Sequence, residues 1–587
     1  MAHQVKKNLG AILRRGGVEF RVWAPFAQGV AVATPFVGHD LSNQVAMQSE
    51  NDGYWSVFID GAEAGQTYKY LIDTGSEILH RNDPRARALT SSENGDSIIV
   101  ANDFDWGDDL FMPIPREEHI IYEMHIGTFN RPDAATQGTF DDAIEKLDYL
   151  VDLGINMIEL MPVTSLAFSQ GWGYNVRDIF SIENSYGGRH GLMTFVRACH
   201  ERGIGVIADV VYNHFMSETL WQFDGWRQND DSGGIYFYGD DRGHTPWGAR
   251  PDYGRPEVKQ FILDNVVMWL NEFRLDGLRL DSTSYLRNKA GSEDLSQDIA
   301  EAWTLLGDIT TLGHKVRPGS ILIAEDTSSN TYITRSTHDG GAGFDAQWAL
   351  PFPNAIRWAF GLEAPYPANM IEQIMYKYNG DAWQRVIFSD SHDTAANGHV
   401  RLNAAVSPTD AGSLLARQQT LIASALALTA PGIPLLLQGQ EFMQEGAFND
   451  WKELEWDKAE RFAGIVQAHR DLIDLRLNRR GTTRGLLGQS VAIFHNNPAN
   501  HVIGYHRWDQ GGPRDDVLVL VNFSDQHFDS YDVVLPRTGN WQVRFNSSWR
   551  GYNEEFHEIL IDSLQTDESN RASLSLPRRS VLIFSQD

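Results

Sequence analysis

The part of the chain that most limits its fold runs from about residue 118 to residue 440. Short apolar segments alternate there with helical patterns or long loops. Alternation of this kind is typical of parallel strands joined by helices. It predicts a parallel (β/α)8 TIM barrel of the α/β class. The eight strand candidates, in chain order, are HIIYEMHIG, INMIELMPV, IGVIADVVY, DGLRLD, SILIAED, GFDAQWAL, QRVIFSD and GIPLLLQG.

Two local features refine this prediction. Thr139-Phe-Asp-Asp142 has the pattern of a helix-capping box, and the apolar stripe that follows predicts one helix ending at Gly154. Residues 214–253 are rich in Gly, Asp, Trp and Tyr. They predict an excursion after the third barrel strand.

Short β-branched and aromatic runs separated by turn residues flank the barrel region on both sides. We therefore expect three domains in the 587 residues. Residues 1–110 would form an immunoglobulin-like β-sandwich, residues 111–484 the barrel, and residues 485–587 an antiparallel β-sandwich.

The charge balance bears on the partners of the chain. The formal net charge of −29 disfavours nucleic acid and anionic membranes, because both bind basic surfaces. A neutral ligand has no such requirement, and the 17 tryptophans offer flat aromatic faces that suit sugar rings. The N-terminal segment has no long apolar stretch and the chain has a single cysteine, Cys199, so we expect a cytoplasmic protein.

Ionisable residues gather where four of the predicted barrel strands end. They lie in Asp209–His214, Arg279–Asp281, Ala324–Asp326 and Ser389–Asp393. The C-terminal ends of barrel strands meet at one mouth. Because burying charge is costly unless the charge is paired, a purely structural strand end has little reason to collect these groups. The pattern indicates glycosidic chemistry at this mouth.

Retaining cleavage of a glycosidic bond needs a carboxylate nucleophile and a carboxylic acid about 5–5.5 Å apart. Arg279 stands two residues before Asp281 and would keep that carboxylate ionised as the nucleophile. Glu325, one strand over, is expected to have no adjacent arginine, so burial would let it act as general acid and then base.

The remaining polar residues at the mouth have expected supporting roles. Asp209 would hold the Arg279 side chain, and His392, Asp393 and His214 would bind sugar hydroxyls. Metal-dependent hydrolysis is the rival chemistry. The chain has no HxH or HExxH spacing, and Arg279 would repel a cation, so we expect no metal and no cofactor.

At the four strand ends the chain resembles glycoside hydrolase family 13, the α-amylase superfamily. Further matching segments are Gly171-Trp-Gly-Tyr-Asn175, Pro431-Gly-Ile-Pro434 and Gln438-Gly-Gln-Glu441. The resemblance implies Asp281 as nucleophile, Glu325 as acid/base and Asp393 as transition-state stabiliser. It also implies that Tyr174 stacks on the sugar ring at the point of cleavage. The expected substrate is an α-1,4-linked glucan or maltooligosaccharide.

Other segments bear on the reaction within the superfamily. The N-terminal FRVWAP is similar to carbohydrate-binding β-sandwich modules of branching enzymes, debranching enzymes and trehalohydrolases. Tyr122–Phe129 and Thr245-Pro-Trp-Gly248 resemble trehalohydrolases, whereas Asp339–Asp345 and Phe545–Tyr552 resemble branching enzymes. Asp390, directly before the Ser-His-Asp segment, departs from the pattern of both.

From these segments we expect 1,4-α-glucan branching first. The alternatives are α-1,4 hydrolysis of the amylase type and trehalose release from maltooligosyltrehalose, followed remotely by an inactive glucan-binding protein. Asn213 stands where calcium-dependent amylases place a metal ligand. We expect its amide to cap the loop instead.

Overall fold

The structure, a computed structural model, describes residues 8–35, 43–91, 95–133, 136–166, 171–229, 232–362, 368–557 and 559–587. The N-terminal part of the chain forms two antiparallel sheets, in the orders β1-β2-β6-β5 and β4-β3-β7-β8, with β9 beside β7. This agrees with the β-sandwich that the sequence predicts. The strands are β1 Gly10–Arg14, β2 Gly17–Trp23, β3 Gly29–Ala33, β4 Gln44–Ala46, β5 Gln48–Ser49, β6 Tyr54–Asp60, β7 Thr67–Asp73, β8 Ile78–Arg81 and β9 Ser97–Ile98.

Eight parallel strands close into a barrel, and each coincides with one of the eight segments predicted from the sequence. Every residue of these strands is buried, as expected where helices cover the outside and side chains fill the inside. The (β/α)8 prediction is confirmed. The barrel strands are β10 Ile121–Met124, β11 Met157–Leu160, β14 Gly205–Val210, β15 Gly277–Leu280, β16 Ile321–Ala324, β17 Ala346–Trp348, β18 Arg385–Ile387 and β19 Ile433–Leu437; the intervening hairpin is β12 Thr164–Leu166 and β13 Val176–Ile182.

Helices connect the barrel strands in the expected alternation. The helix predicted to run from Thr139 to Gly154 is divided in two, which corrects that prediction. Its capping box is present, with the Thr139 side chain accepting from the Asp142 backbone, but the chain leaves helical geometry at Lys146. The helices are α1 Ile126–Phe129, α2 Phe140–Ile144, α3 Leu147–Leu153, α4 Gly188–Glu201, α5 Pro256–Val267, α6 Thr283–Arg287, α7 Ala300–Val316, α8 Thr331–Thr334, α9 Pro351–Ala359, α10 Ala368–Met375, α11 Leu402–Val406, α12 Leu414–Thr429, α13 Asp457–Arg461 and α14 Ala463–Arg476.

The C-terminal part is a second antiparallel β structure, with sheet orders β20-β21-β22-β27-β24-β25 and β23-β26. The fully buried Arg507 joins it to the barrel by donating to the carbonyls of Gly488 at 2.7 Å, Leu486 at 3.2 Å and Thr429. These bonds satisfy carbonyls where the two parts meet. The strands are β20 Ser490–Asn497, β21 Val502–Trp508, β22 Val517–Asn522, β23 Phe528–Val534, β24 Asn540–Asn546, β25 Ser563–Gln565, β26 Arg571–Leu576 and β27 Ser580–Ser585.

The N-terminal sheets also contact the excursion that follows β14. The Phe26 ring stacks on Trp226 at 4.6 Å, and the Phe26 backbone N–H donates to Asp224 at 3.0 Å. Arg81 donates to the carbonyls of Gln222 and Phe223 at 2.9 and 3.1 Å. The N-terminal domain therefore holds one side of a loop that reaches the barrel mouth. In the described ranges, no helix has the length and apolar character needed to cross a bilayer.

Candidate active site

Strand register brings the candidate residues to one edge of the barrel. Asp209 in β14 is paired with Arg279 in β15. Leu280, the last residue of β15, is paired with Ala324, the last residue of β16. Asp281 and Glu325 directly follow these two residues. The Glu325 backbone N–H donates to the Leu280 carbonyl at 2.9 Å, which continues the pairing. Pairing between neighbouring strands thus places the two carboxyl groups side by side.

Arg279 is the centre of the cluster and is fully buried. Its NH1 group donates to Asp209 Oδ2 at 2.6 Å and to Asp281 Oδ1 at 3.1 Å, so Asp209 holds Arg279 as expected. Its NH2 atom lies 3.4 Å from Glu325 Oε2. The expectation that Glu325 has no neighbouring arginine is therefore wrong, because the register of β15 and β16 brings the guanidinium across to the next strand. The Arg279 guanidinium therefore contacts three carboxyl groups.

Glu325 is almost completely buried, with 5% of its surface exposed. Burial raises the pKa of Glu325 to about 8 against the opposing effect of Arg279, and the charges of Asp281 and Asp393 raise it further. Its Oε2 atom accepts from the Ser282 backbone N–H at 2.7 Å. Ser282 has φ 41° and ψ 56°, a left-handed conformation that is unfavourable for serine. A carboxyl group that keeps its proton at neutral pH suits a general acid.

Asn213 contacts Asp281 directly. Its Nδ2 atom donates to Asp281 Oδ2 at 2.7 Å and to the Asp281 carbonyl at 2.9 Å. The expectation that this amide caps its own loop is therefore wrong. Together Asn213 and Arg279 supply a donor to each carboxylate oxygen of Asp281, whose side chain is 14% exposed. Donors to both oxygens fix the orientation of the carboxyl group, which suits a nucleophile.

Asp393 and His392 follow β18 at the same mouth. The His392 Nδ1 atom lies 2.5 Å from Glu123 Oε1, and its Nε2 atom lies 3.3 Å from Asp393 Oδ1. Burial lowers the pKa of His392, but Asp393 and Glu123 raise it to a net value of about 9, so the ring is protonated at neutral pH. The Asp393 side chain is 37% exposed and open to a ligand. Glu123 was not recognised as a site residue from the sequence, although it points inward from β10.

Tyr174 contacts both Asp209 and His392. Its hydroxyl donates to Asp209 Oδ2 at 2.6 Å, and its ring stacks on His392 with 5.1 Å between centroids and 20° between planes. The ring therefore lies between Asp209 and His392. Sugar stacking by Tyr174 remains a prediction.

His214 lies at the base of the excursion. Its Nδ1 atom contacts Asn213 Oδ1 at 2.5 Å, and burial lowers its pKa, so the ring is neutral at pH 7. Trp247, on the same excursion, has its ring 5.8 Å from that of His214 and is 46% exposed. The side chain packs edge-on against Tyr285 at 4.9 Å. Trp247 is thus an exposed aromatic face next to His214, and its place at the mouth was not recognised from the sequence.

Asp390 and Arg357 hold the segment that follows Asp393. Arg357 NH2 lies 3.0 Å from Asp390 Oδ1, 3.1 Å from the Thr394 carbonyl and 3.0 Å from the Val400 carbonyl. The other Asp390 oxygen accepts from the Leu402 backbone N–H at 2.9 Å. Both side chains are buried. The residue that departs from the family patterns therefore stabilises the loop beside Asp393.

Replacing Arg357 with methionine is expected to lower the apparent free energy of unfolding by about 3–5 kcal/mol, because Asp390 would remain buried without its ion-pair partner. Chemical unfolding followed by tryptophan fluorescence measures this loss. The matched control is Arg484→Met. Arg484 pairs with Asp509, and its side chain is 62% exposed, so losing this ion pair should lower the free energy of unfolding by only about 0–1 kcal/mol. Equal losses in the two variants would contradict the assignment.

In the part of the chain that the structure describes, no three His, Cys, Asp or Glu side chains are arranged to hold a metal ion. The carboxylates of the mouth surround Arg279 instead. A cationic centre of this kind favours chemistry by carboxyl groups and hydrogen-bond donors.

Comparisons with known proteins follow the same division of the chain. Residues 8–86 match carbohydrate-binding module 48 (isoamylase N-terminal domain), residues 124–252 match the alpha amylase catalytic domain, and residues 493–587 match the alpha amylase C-terminal all-beta domain. Together the three matches follow the order of the three structural parts.

Among curated proteins, the 1,4-alpha-glucan branching enzyme GlgB of Corynebacterium jeikeium is 30% identical over 92% of this chain and 77% of its own length. The malto-oligosyltrehalose trehalohydrolase of Saccharolobus solfataricus is 30% identical over 75% of this chain and 76% of its own length. Among solved structures, type I pullulanase from Bacillus subtilis complexed with maltose aligns with a TM-score of 0.79 and 21% identity. This alignment covers 99% of this chain and 86% of the pullulanase, which shows a shared fold.

Proposed function

The chain belongs to glycoside hydrolase family 13, the α-amylase superfamily, and from this premise we propose that it is a retaining enzyme acting on α-1,4-linked glucans. Asp281 is the nucleophile, Glu325 the general acid and base, and Asp393 a ligand for sugar hydroxyls. The observation that supports this proposal most strongly is the contact of one buried guanidinium, Arg279, with both Asp281 and Glu325. A guanidinium that contacts both carboxyl groups holds them on the same side of the site, and retaining cleavage requires two carboxyl groups that lie close together.

In the first step, an Asp281 carboxylate oxygen attacks C1 of a glucosyl unit. The bond from C1 to the glycosidic oxygen breaks, and Glu325 donates its proton to that oxygen. The raised pKa of Glu325 keeps this proton available at neutral pH. In the second step, an acceptor hydroxyl gives its proton to Glu325 while its oxygen attacks C1 and releases Asp281.

Protonated His392 lies beside the Asp393 carboxylate, with 3.3 Å between Nε2 and Oδ1. Two groups of opposite charge next to one another can bind a sugar diol, one as donor and the other as acceptor. We assign hydroxyl binding to this pair and to His214. Tyr174, fixed by Asp209 and His392, is the proposed stacking face for the sugar at the point of cleavage.

We propose branching, in which a glucan 6-hydroxyl is the acceptor, as the reaction. The 30% identity with a branching enzyme extends over 92% of the chain, including both flanking β domains. Trehalose release is the second candidate. The 30% identity with a trehalohydrolase over 75% of the chain favours it. The exposed ring of Trp247 offers a bound glucan chain an apolar face beside His214 in either reaction.

An assay on amylose distinguishes the reactions. Branching is expected to lower the iodine absorbance by at least about half without a matching rise in reducing ends, because transfer uses each cleaved end again. A parallel rise in reducing ends would establish hydrolysis, and trehalose released from maltooligosyltrehalose would establish the second candidate. The Asp281→Asn variant is the blank for each substrate. A parent enzyme that changes none of these substrates would overturn the proposed function.

A further inference from the structure

A pocket of about 410 Å³ lies on the flank of the barrel, away from the proposed catalytic residues. This volume falls within the range of small-ligand sites, about 300–1,000 Å³. Its lining is polar: Thr334, Arg335, Ser336, Asp339, Asn379 and Gln384.

The pocket occupies a different part of the barrel from the mouth. Gln384 directly precedes β18, and Asp339 precedes β17 in the segment that leads from α8 to that strand. Both therefore approach the N-terminal ends of their strands, whereas Asp281 and Glu325 follow the C-terminal ends of β15 and β16. A ligand in this pocket would not occupy the catalytic centre.

Arg335 lines the pocket and packs on Tyr332, which lies outside the lining. The Arg335 guanidinium lies 4.0 Å from the centroid of the Tyr332 ring, and Tyr332 is 45% exposed. Stacking on the ring fixes the direction of the guanidinium. Among the described residues, no carboxylate lies within ion-pairing distance of Arg335. Its donors are free for a ligand.

Asn379 also lines the pocket and connects the segments around it. Its Nδ2 atom lies 3.1 Å from the Thr331 carbonyl, 3.2 Å from Thr334 Oγ1 and 3.0 Å from Gln384 Oε1. These contacts tie the end of α8 to the segment before β18, so the pocket has a fixed shape. Gln384 uses its oxygen in this contact, and its amide nitrogen has no partner among the described residues.

The mixture of groups favours a neutral polyhydroxylated ligand. Arg335 and Gln384 offer donors, and the Asp339 carboxylate and the hydroxyls of the pocket offer acceptors. An anionic ligand would be repelled by Asp339 and by the net charge of −29. We propose that this pocket binds a glucosyl segment of a long α-glucan outside the catalytic centre. The identity of this ligand rests on the proposed function.

The experiment compares the parent, Arg335→Ala and Tyr332→Ala on amylose and on a maltooligosaccharide too short to reach from the mouth to the flank. Each variant is expected to raise the KM for amylose by about fivefold, the effect of losing one or two hydrogen bonds, because Tyr332 orients the Arg335 guanidinium that makes them. The kcat on both substrates and the KM for the short substrate should stay unchanged. Arg578→Ala, an exposed arginine of the C-terminal domain, is the matched control.

Electrophoresis through a gel containing amylose measures binding without turnover. The parent should be retarded, and Arg335→Ala should be retarded less, with a thermal unfolding midpoint equal to that of the parent. Retardation and KM values that equal those of the parent in both variants would overturn the pocket as a glucan site. A parent that is inactive on both substrates would instead overturn the proposed function. If that inactive parent is also not retarded, the glucan ligand of the pocket is overturned as well.

Discussion

Replacing Asp281 with asparagine is expected to lower kcat on amylose by about 10⁴-fold or more, because an amide cannot form the covalent bond to C1. The replacement keeps the size of the side chain, and Arg279 can still donate to its remaining oxygen. The fold should therefore persist. Initial rates measured by iodine absorbance and by reducing ends, with the circular dichroism spectrum as a check of folding, test this expectation.

Asp148→Asn is the matched control for this experiment, since the Asp148 side chain is 82% exposed and lies on helix α3. It should turn over amylose at the rate of the parent. An Asp281→Asn variant with a rate within tenfold of the parent would show that another group is the nucleophile.

Replacing Glu325 with glutamine is expected to lower kcat on amylose by about 10²–10⁴-fold, the usual contribution of a general acid. The loss should be much smaller for bond cleavage in maltosyl fluoride, because fluoride leaves without a proton. Pre-steady-state release of fluoride measures this step separately from the attack of the acceptor. Equal losses on both substrates would contradict the role of Glu325 as proton donor.

The pH profile belongs to the same experiment. Glu325 must be protonated to act, and burial raises its pKa to about 8. The parent rate should therefore fall about tenfold per pH unit above this value, because the active form is lost as the proton leaves. The fluoride release of Glu325→Gln should show no such decrease. A decrease of the same steepness in the variant would assign it to another group.

The barrel could be predicted from the sequence because its eight strands are buried on both faces and therefore appear as apolar runs. The proposed catalytic residues could be predicted because they follow directly after those runs. The division of the helix at Lys146 could not be predicted, since the apolar stripe continues across it. The spacing of apolar residues does not show where the backbone hydrogen bonds of a helix are interrupted.

The neighbours of the proposed catalytic residues were harder to predict. Glu123 contacts His392 across 269 positions of the chain, and Asn213 contacts Asp281 across 68. Such contacts depend on barrel closure and strand register, which one sequence does not display. The contact between Arg279 and Glu325 was missed for the same reason. The acceptor is harder still to predict from the sequence, because it depends on how water and a sugar hydroxyl compete beside Trp247.

The shared contact of Arg279 with Asp281 and Glu325 makes the acidity of one carboxyl group depend on the chemical state of the other. The charge of Asp281 is one of the causes that raise the pKa of Glu325. Once Asp281 is esterified to the sugar, that charge is gone while Arg279 remains 3.4 Å away, so the pKa of Glu325 falls. In the proposed mechanism this change would convert Glu325 from a proton donor before the ester forms into a proton acceptor after it. The proposed nucleophile would thereby set the timing of proton transfer to and from Glu325.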